Sequence, residues 1–446
     1  MSIVTNRLGA LALLLGATLA LVKPAQAIPA FARKYGLPCS ACHEAWPKLN
    51  SFGQNFKDEG YQLNNDRDAP IYQNPAYWPI AMRITPHWHF DGTSRVATDI
   101  VPGDGGSGQR PSTINTHGFD LSGIDILTGG TLAKNISFLL VPSIESDSGT
   151  ISFESAWVRL DRLRGSPWLN FKFGKFELDL PVSEKRIMTL SNNGGFYQLY
   201  HFLPPGDVTP TSMGDNQLGV ELLGHSADDH TRYALSLLSS TDGELGLPGG
   251  RSYDGFAHLS QAFLLPHLGL QRVGAYGYVG EAPTFFLTSG GVPIPGSGRG
   301  NRSFYRVGAY GSLYLGRFDF TGIYQHASDN TFLANATAAN QTLPSGAQSP
   351  VWNTGTFEAH YTYSPQLIFI GRYELVRLSH QALATNPEDL GNLDAFTLGY
   401  RYYPFMHSRA GLAWHQEVAS VRSKLTSLNG QDQRSTSVFM GFDFAF

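Results

Sequence analysis

The last ten residues decide the fold: Ser437-Val438-Phe439-Met440-Gly441-Phe442-Asp443-Phe444-Ala445-Phe446. Side chains in a β-strand alternate between two faces with a period of two. One face of this stretch is therefore wholly apolar and carries Val438, Met440, Phe442, Phe444 and Phe446. The other face is small or polar except for Phe439. An apolar face that ends on a terminal Phe is typical of the last strand of a membrane β-barrel, whose outer surface meets lipid.

The chain from Trp78 onward repeats this pattern and predicts about sixteen antiparallel strands, in a barrel domain over residues 71–446. Short connections, such as 266–269 and 364–366, alternate with long ones near 92–116, 181–213, 242–251, 284–301, 328–353, 379–394 and 418–434. The connection near 146–148 is short where the alternation requires a long one. Outer-membrane barrels have an even number of strands, long external loops and short periplasmic turns. We therefore expect an all-β transmembrane barrel with both termini in the periplasm.

The composition agrees with a membrane barrel. Aromatic residues make up 12% of the 446 residues, with 28 Phe and 20 Tyr, and there are 49 Gly. The lipid-facing surface of such a barrel needs aromatic side chains, while its lumen stays polar. A secreted β-sandwich is the alternative that composition leaves open. The net charge of −4 is too small to indicate a nucleic-acid partner, and the sequence contains no recognisable hydrolase motif.

The first 27 residues predict a signal peptide. Residues 1–7 carry one charge, which is positive; residues 8–22 are almost wholly apolar, and Ala25-Gln26-Ala27 has the small-x-small pattern of a cleavage site. The apolar run is about fifteen residues, shorter than the roughly 20 that span a bilayer as a helix. A retained membrane anchor is the alternative. We expect an exported chain that begins near Ile28 and lies in the outer membrane of a Gram-negative bacterium.

The only two cysteines lie in Cys39-Ser40-Ala41-Cys42-His43, the C-x-x-C-H pattern that attaches c-type haem. Two thiols three positions apart reach the two vinyl groups of one porphyrin, and the following imidazole becomes the proximal iron ligand. A disulfide or redox pair is the alternative, although the βαβ context of a thioredoxin-like motif is missing. A structural zinc site would need further ligands. We therefore predict one covalent haem c on Cys39 and Cys42, with His43 on the iron.

An amphipathic helix is predicted after this motif. Trp46, Leu49, Phe52 and Phe56 recur at three- and four-residue steps and form one apolar stripe, which we expect to pack on the haem. Pro47 suits a first helical turn, and Gly60 suits a C-terminal stop. The haem-binding module, residues 28–70, is small for enclosing a haem alone. We expect it to plug the barrel lumen.

The residues of the module also carry a resemblance. Residues 28–33 (IPAFAR), Cys39 to His43, the run 49–57 (LNSFGQNFK) and Gly60-Tyr61 resemble the fused cytochrome–porins of the outer membrane, whose best-known members are iron-oxidising monohaem cytochromes. The resemblance in detail covers residues 28–63. It implies electron transfer from an extracellular donor, Fe(II) being favoured, through the haem to periplasmic c-type cytochromes.

Strand alternation assigns side chains to the two faces of the barrel wall. In the first strand, Met82, Ile84, Trp88 and Phe90 are expected to face lipid, and the lumen-facing set is Arg83, Thr85, His87, His89 and Asp91. Further charged residues are expected to line the lumen, as partners of haem propionates or of a polar path: Glu358, His360, Arg372, Glu374, Arg401, Arg409, His415 and Glu417.

The distal iron ligand is predicted from the same alternation. Met82 falls on the lipid face, so His87 or His89 is favoured as the sixth ligand, with Lys57 or water as alternatives. Ordinary polar lining is the other interpretation of both histidines. Three functional alternatives stay open: outward extracellular electron transfer, a solute porin with a haem sensor or gate, and a haem peroxidase with an open sixth position.

Covalent attachment leads to the first prediction. The double variant Cys39→Ser with Cys42→Ser should lose all haem that survives denaturing electrophoresis, because no thiol is left to form a thioether. His43→Ala should keep the thioethers and change the absorption spectrum of the iron. Haem staining of the denatured bands measures both results, and covalent haem in the double variant would refute the attachment.

Overall fold

The computed structural model describes residues 30–63, 79–99, 108–144, 149–204, 212–239, 253–283, 301–329, 350–380, 391–406, 410–424 and 432–446. The N-terminal module contains helices α1 (Ala30–Tyr35), α2 (Cys39–Cys42) and α3 (Ser51–Asp58), and two short strands, β1 (His43–Ala45) and β2 (Lys48–Leu49). Among the described residues, no helix has the length and hydropathy needed to cross a membrane.

The rest of the described chain is dominated by long strands. They are β3 (Ile80–Asp99), β4 (Gln109–Ala133), β5 (Ile136–Ile144), β6 (Ile151–Leu160), β7 (Asn170–Phe176), β8 (Gln217–His225), β9 (Thr231–Ser239), β10 (Tyr253–Leu265), β11 (Gly269–Pro283), β12 (Asn301–Leu315), β13 (Phe318–Ser328), β14 (Val351–Ser364), β15 (Leu367–His380), β16 (Leu393–Met406), β17 (Gly411–Lys424) and β18 (Asp432–Ala445).

These sixteen strands of the described residues form one closed antiparallel barrel, each paired with its neighbours in sequence. The last strand closes the barrel on the first, with Gly441 opposite His87 and Ala445 opposite Arg83. The amides of Met82 and Phe446 each donate to the other's carbonyl, at 2.8 and 2.9 Å. Closure gives the backbone N–H and C=O groups at every strand edge a hydrogen-bond partner. A chain in lipid requires this because no water is available there. The predicted strand number and the role of the terminal strand are confirmed.

Burial across the barrel wall is inverted relative to a water-soluble protein. Phe357 is 52% exposed on the outside, whereas the next residue, Glu358, is 6% exposed on the inside. The same alternation gives an outer surface that exposes Leu235, Leu237, Leu259, Val273, Val279, Val307, Tyr324, Phe396, Leu398 and Val418. Contiguous apolar surface of this extent needs an apolar partner. A bilayer provides one, and an outward apolar band is characteristic of outer-membrane barrels.

The inward assignment of the lumenal charges is confirmed wherever the structure describes them. Glu358, His360, Arg372, Glu374, Arg401, His415 and Glu417 are all buried. Arg409, which was assigned to the same set, lies outside the described residues. These side chains do not line an empty channel, because two other parts of the chain occupy the lumen beside them.

One occupant is the connection between β7 and β8, called here the inner loop and described over residues 177–204 and 212–216. The carboxylate of Glu417 accepts hydrogen bonds from the amides of Leu190 (2.6 Å) and Ser191 (3.2 Å). That of Glu374 accepts from the amide of Gln198 at 2.8 Å. The sequence placed this connection among the external loops. It folds inward because lumenal carboxylates satisfy backbone amides that burial would otherwise leave unpaired.

The other occupant is the N-terminal module, at the end of the barrel that carries the short connections (the short-turn end). Arg159 of β6 donates to the carbonyl of Lys57 (3.0 Å), and Tyr403 of β16 donates to that of Trp46 (2.6 Å). Further ionic contacts join it to β9 and β13: Asp58 with Arg232, and Lys48 with Asp319. Contacts with strands all around the barrel place the module across the lumen.

Candidate functional site

The two cysteines lie at the ends of helix α2, a single turn that follows Pro38. Residues three positions apart lie on the same side of a helix, so both sulfurs face one cavity. They are not joined in a disulfide. Burial raises the pKa of the Cys39 thiol to about 12 and also raises that of Cys42, so both are protonated thiols at neutral pH.

His43 follows directly in an extended conformation and lines the same cavity. Its Nδ1 donates to the carbonyl of Pro47 at 3.0 Å and lies 3.3 Å from that of Lys48. These contacts fix the ring and leave Nε2 as the nitrogen able to bind a metal, which is the usual arrangement for a ligating histidine. Burial lowers the pKa of His43 to about 4, so the ring is neutral.

The close packing of α3 on α2 holds the motif in place. The amide of Asn50 donates to the carbonyl of Cys42 (2.9 Å), and its side-chain amide donates to that of Ala41 (3.0 Å). The same side chain caps α3 by accepting from the amide of Gly53 at 2.9 Å. A Cβ on Gly53 would lie 2.0 Å from the Cys42 oxygen, so only glycine fits at this crossing.

The helix begins later than the sequence predicted. The chain between His43 and Leu49 forms the β1–β2 pair rather than a helical turn, and Pro47 lies in the turn between them. The start is moved to Ser51 by the Asn50 cap, because a capping side chain satisfies amides that a helix start leaves free. The stop at Gly60 is confirmed: its φ is +81°, and the amide of Tyr61 donates to the carbonyl of Phe56 at 2.9 Å.

The cavity that these residues line has a volume of about 560 Å³. Cavities of 300–1,000 Å³ are typical of sites for small molecules and cofactors. Its walls come from both the module and the barrel. Aromatic side chains form one part of the wall, namely Phe31, Trp46, Phe56, Tyr61, Trp157 and Phe176. Tyr61 stacks on Phe31 at 4.6 Å and on Trp157 at 6.0 Å, so the apolar surface continues from the module to β6.

Three of the four residues expected to pack on a haem line the cavity: Trp46, Leu49 and Phe56. Phe52 does not, and it is 44% exposed. The buried positions of α3 are Gly53 and Phe56, so Gly53 takes the inward position that was predicted for Phe52.

Basic side chains form another part of the wall. Lys185 pairs with Glu154 at 2.7 Å, Arg186 with Glu177 at 2.5 Å and Lys172 with Glu221 at 2.5 Å. Burial alone would raise the pKa of Glu177, but the charges of Arg186 and Lys57 hold it at about 2. The cavity wall therefore combines aromatic surface with charged side chains, and the two adjoin where the Lys172 ammonium lies over the rings of Trp157 and Phe176.

The two histidines predicted as distal ligands lie elsewhere. His87 and His89 are on the lumenal face of β3, as the alternation predicted, but neither lines the cavity. They lie beside Asp120 of β4, which is directly opposite His87. The identity of a sixth ligand stays a prediction, and this placement does not favour either residue.

The sequence did not single out His225, which does line the cavity. It is the last residue of β8, and its Nδ1 donates to the carbonyl of Ser226 at 2.9 Å. Counting along β8 in steps of two from the lumenal Glu221 would have found it. Nothing in its local sequence distinguishes it from ordinary polar lining.

Solved structures of outer-membrane channels are similar to this chain at low sequence identity. An anion-selective porin from Comamonas acidovorans is similar over 82% of this chain and 98% of its own, with 12% identity and a TM-score of 0.49. The channel DcaP of Acinetobacter baumannii is similar over 81% and 96%, with 9% identity and a TM-score of 0.46. No family model matches the chain, and no curated protein is similar to it in sequence.

The class of the protein follows from its own strand pairing and burial rather than from these distant likenesses. A closed, even-stranded antiparallel barrel with an apolar outer face and a polar interior is a porin-like outer-membrane barrel. Its distinguishing feature is a lumen that holds the chain's own N-terminal module and inner loop.

The crossing of α3 and α2 gives the second prediction. Gly53→Ala should destabilise the packed module by about 1–3 kcal/mol, the usual cost of overpacking, because its Cβ meets backbone that cannot move aside. The opened module should then be cut by added protease roughly tenfold faster in the folded barrel. Ser51→Ala, in the first turn of the same helix, is the matched control and should be cut at the rate of the unaltered protein. Equal rates for both variants would contradict the close approach.

Proposed function

We propose that this barrel carries one haem c in its lumen and transfers electrons across the outer membrane. The observation that carries the proposal is that Cys39, Cys42 and His43 line one cavity inside a filled lumen. A c-type haem needs two thiols and an imidazole in this order. When bound, the haem supplies a site that accepts one electron from a donor and gives it to an acceptor.

The side chains present fit that group. Each thiol can add its S–H across one vinyl double bond, forming one C–S and one C–H bond without an oxidant. The carbonyl of Pro47 holds the His43 ring by Nδ1, so that Nε2 can bind the iron. The aromatic wall suits the apolar porphyrin, and cations such as Lys185 and Arg186 suit its anionic propionates.

The partners follow from the two ends of the barrel. In outer-membrane barrels, short turns lie in the periplasm and long loops outside. The short-turn end, where the module lies, would then face periplasmic c-type cytochromes. The long-loop end would face an extracellular donor, with Fe(II) favoured by the resemblance of the module. Fe(II) loses one electron and a ferric cytochrome gains one, so the reaction balances without a further reactant.

A filled lumen favours electron transfer over diffusion of a solute. The described residues of the module and the inner loop span the lumen between strands on opposite sides. Electrons need no open channel, whereas a solute does. Ferric product would also stay outside the periplasm.

A solute porin whose module acts as a gate is the second candidate. The observation that favours it is the charged lumen wall, which is the usual lining of an aqueous channel. Under this reading Glu358, Arg372 and Glu417 would become channel lining whenever the module and the inner loop moved away.

The third prediction tests electron transfer. Anaerobic addition of Fe(II) to the oxidised protein should produce the sharp visible absorption bands of a ferrous haem c. The Cys39→Ser, Cys42→Ser double variant is the control and should give no such change. If dithionite reduces the haem and Fe(II) does not, then Fe(II) is not the electron donor.

The fourth prediction separates the two candidates. Full-length protein in planar bilayers should conduct little, and a variant lacking residues 28–63 should conduct more, because only the inner loop would then remain in a sixteen-strand barrel wide enough for an aqueous channel. Large, steady conductance of the full chain would support the solute porin. Equal conductance of both proteins would mean that the module does not close the lumen.

A further inference from the structure

Three potential metal ligands lie together on the lumenal wall, next to the cavity of the module but not part of its lining. They are His87 and His89 of β3 and Asp120 of β4. One ligand atom from each lies within 4.8 Å of the others. Two histidines and one carboxylate form the ligand set that divalent iron uses in many non-haem sites.

The cluster is held in a geometry that suits metal binding. The Nδ1 of His87 donates to the carbonyl of Thr85 at 2.9 Å, which leaves Nε2 for a metal. The ring of His87 also stacks on Phe439 at 4.3 Å. Ligand atoms that are each about 2.1 Å from a metal are at most about 4.2 Å apart, so small side-chain rotations would complete the set.

Charge and access also favour a cation. Asp120 is exposed, so its carboxylate can be reached by water in the lumen. Asp91 adds a second carboxylate on the same face of β3, two residues beyond His89, and accepts from the side chain of Asn192 at 2.8 Å. The nearest cation along the strand, Arg83, is already paired with Asp443 at 3.0 Å.

The position of the cluster relates it to the haem-binding module. Arg83 lines the cavity and lies over the ring of Trp46 at 5.4 Å. His87 is four residues further along β3, and its Nδ1 lies 3.5 Å from the hydroxyl of Ser122 on the wall of the cavity. It lies on the side of the module that leads to the long loops. A cation entering from that end would meet these residues before the module.

We propose that His87, His89 and Asp120 form a binding site for a first-row divalent metal ion on the lumenal wall. Binding by itself does not depend on the haem. The further statement, that Fe(II) occupies this site while it gives up its electron, rests on the proposed function. The site then holds the donor beside the cavity wall, where Ser122 lies 3.5 Å from His87, and the oxidised ion leaves towards the long loops.

The fifth prediction measures binding with Co²⁺, which serves as a probe because it leaves the haem in its oxidation state. Equilibrium dialysis of the full-length folded protein should give one Co²⁺ per chain. His87→Gln and His89→Gln should each weaken this binding at least about tenfold, since each removes a ligand. His117→Gln is the matched control: His117 is on β4, three residues from Asp120 and on the opposite face, and its loss should change nothing.

Asp120→Asn supplies a second test that does not disturb a buried side chain. It should weaken Co²⁺ binding at least about tenfold and raise the Fe(II) concentration needed for half-maximal haem reduction. Unchanged Co²⁺ affinity in this variant and in a correctly folded histidine variant would overturn the site. The protein could also bind Co²⁺ normally while Fe(II) failed to reduce its haem. That result would support the metal site and refute Fe(II) as the electron donor.

Discussion

The three parts of the molecule meet at the guanidinium group of Arg401. Its Nε donates to the carbonyl of Met188 in the inner loop (2.6 Å), and its Nη1 lies 3.3 Å from that of Trp46 in the module. The charge is balanced by Asp443 of the terminal strand, at 2.8 Å, and the side chain is fully buried. Leaving one partner of a buried ion pair without the other costs about 3–5 kcal/mol. Barrel closure, the inner loop and the module are therefore stabilised together.

A buried charge such as that of Arg401 is possible because the lumen of a membrane barrel can be polar while its outside is apolar. Buried charges must be paired, and this lumen pairs them with the chain's own backbone as well as with one another. Arg372 shows both modes: its Nη2 donates to the carbonyls of Gly194 and Phe196 at 2.6 and 2.8 Å, and its Nε lies 3.1 Å from Glu374. The side chains that would line a water-filled pore instead hold the inner loop.

The strands were predictable from the sequence because a period of two is a local signal that sixteen repeats reinforce. The occupants of the lumen were not, since their positions depend on contacts between residues far apart in sequence. The sequence contained one indication that the lumen is occupied. Ile368 and Ile370 are apolar although they lie on the lumenal face of β15, and they pack with Ala45 and Trp46 of the module. The cysteine motif could be recognised in the sequence. The exposure of Phe52 beside a buried Phe56 could not be predicted, because it depends on where Asn50 caps the helix.

Strand β3 connects the two chemical centres proposed here. Its residues rise by about 3.3 Å each along the strand and point alternately to lipid and lumen, so successive side chains on the lumenal face lie progressively nearer the long loops. Arg83 marks the level of the module, and His87 and His89 mark a level nearer the long loops. Strand β3 pairs with β4 and β18 on both sides of an irregularity between Ile84 and Pro86, so both centres are attached to the same part of the barrel wall. The barrel wall therefore positions the donor site relative to the cofactor cavity, with Ser122 of the cavity wall between them.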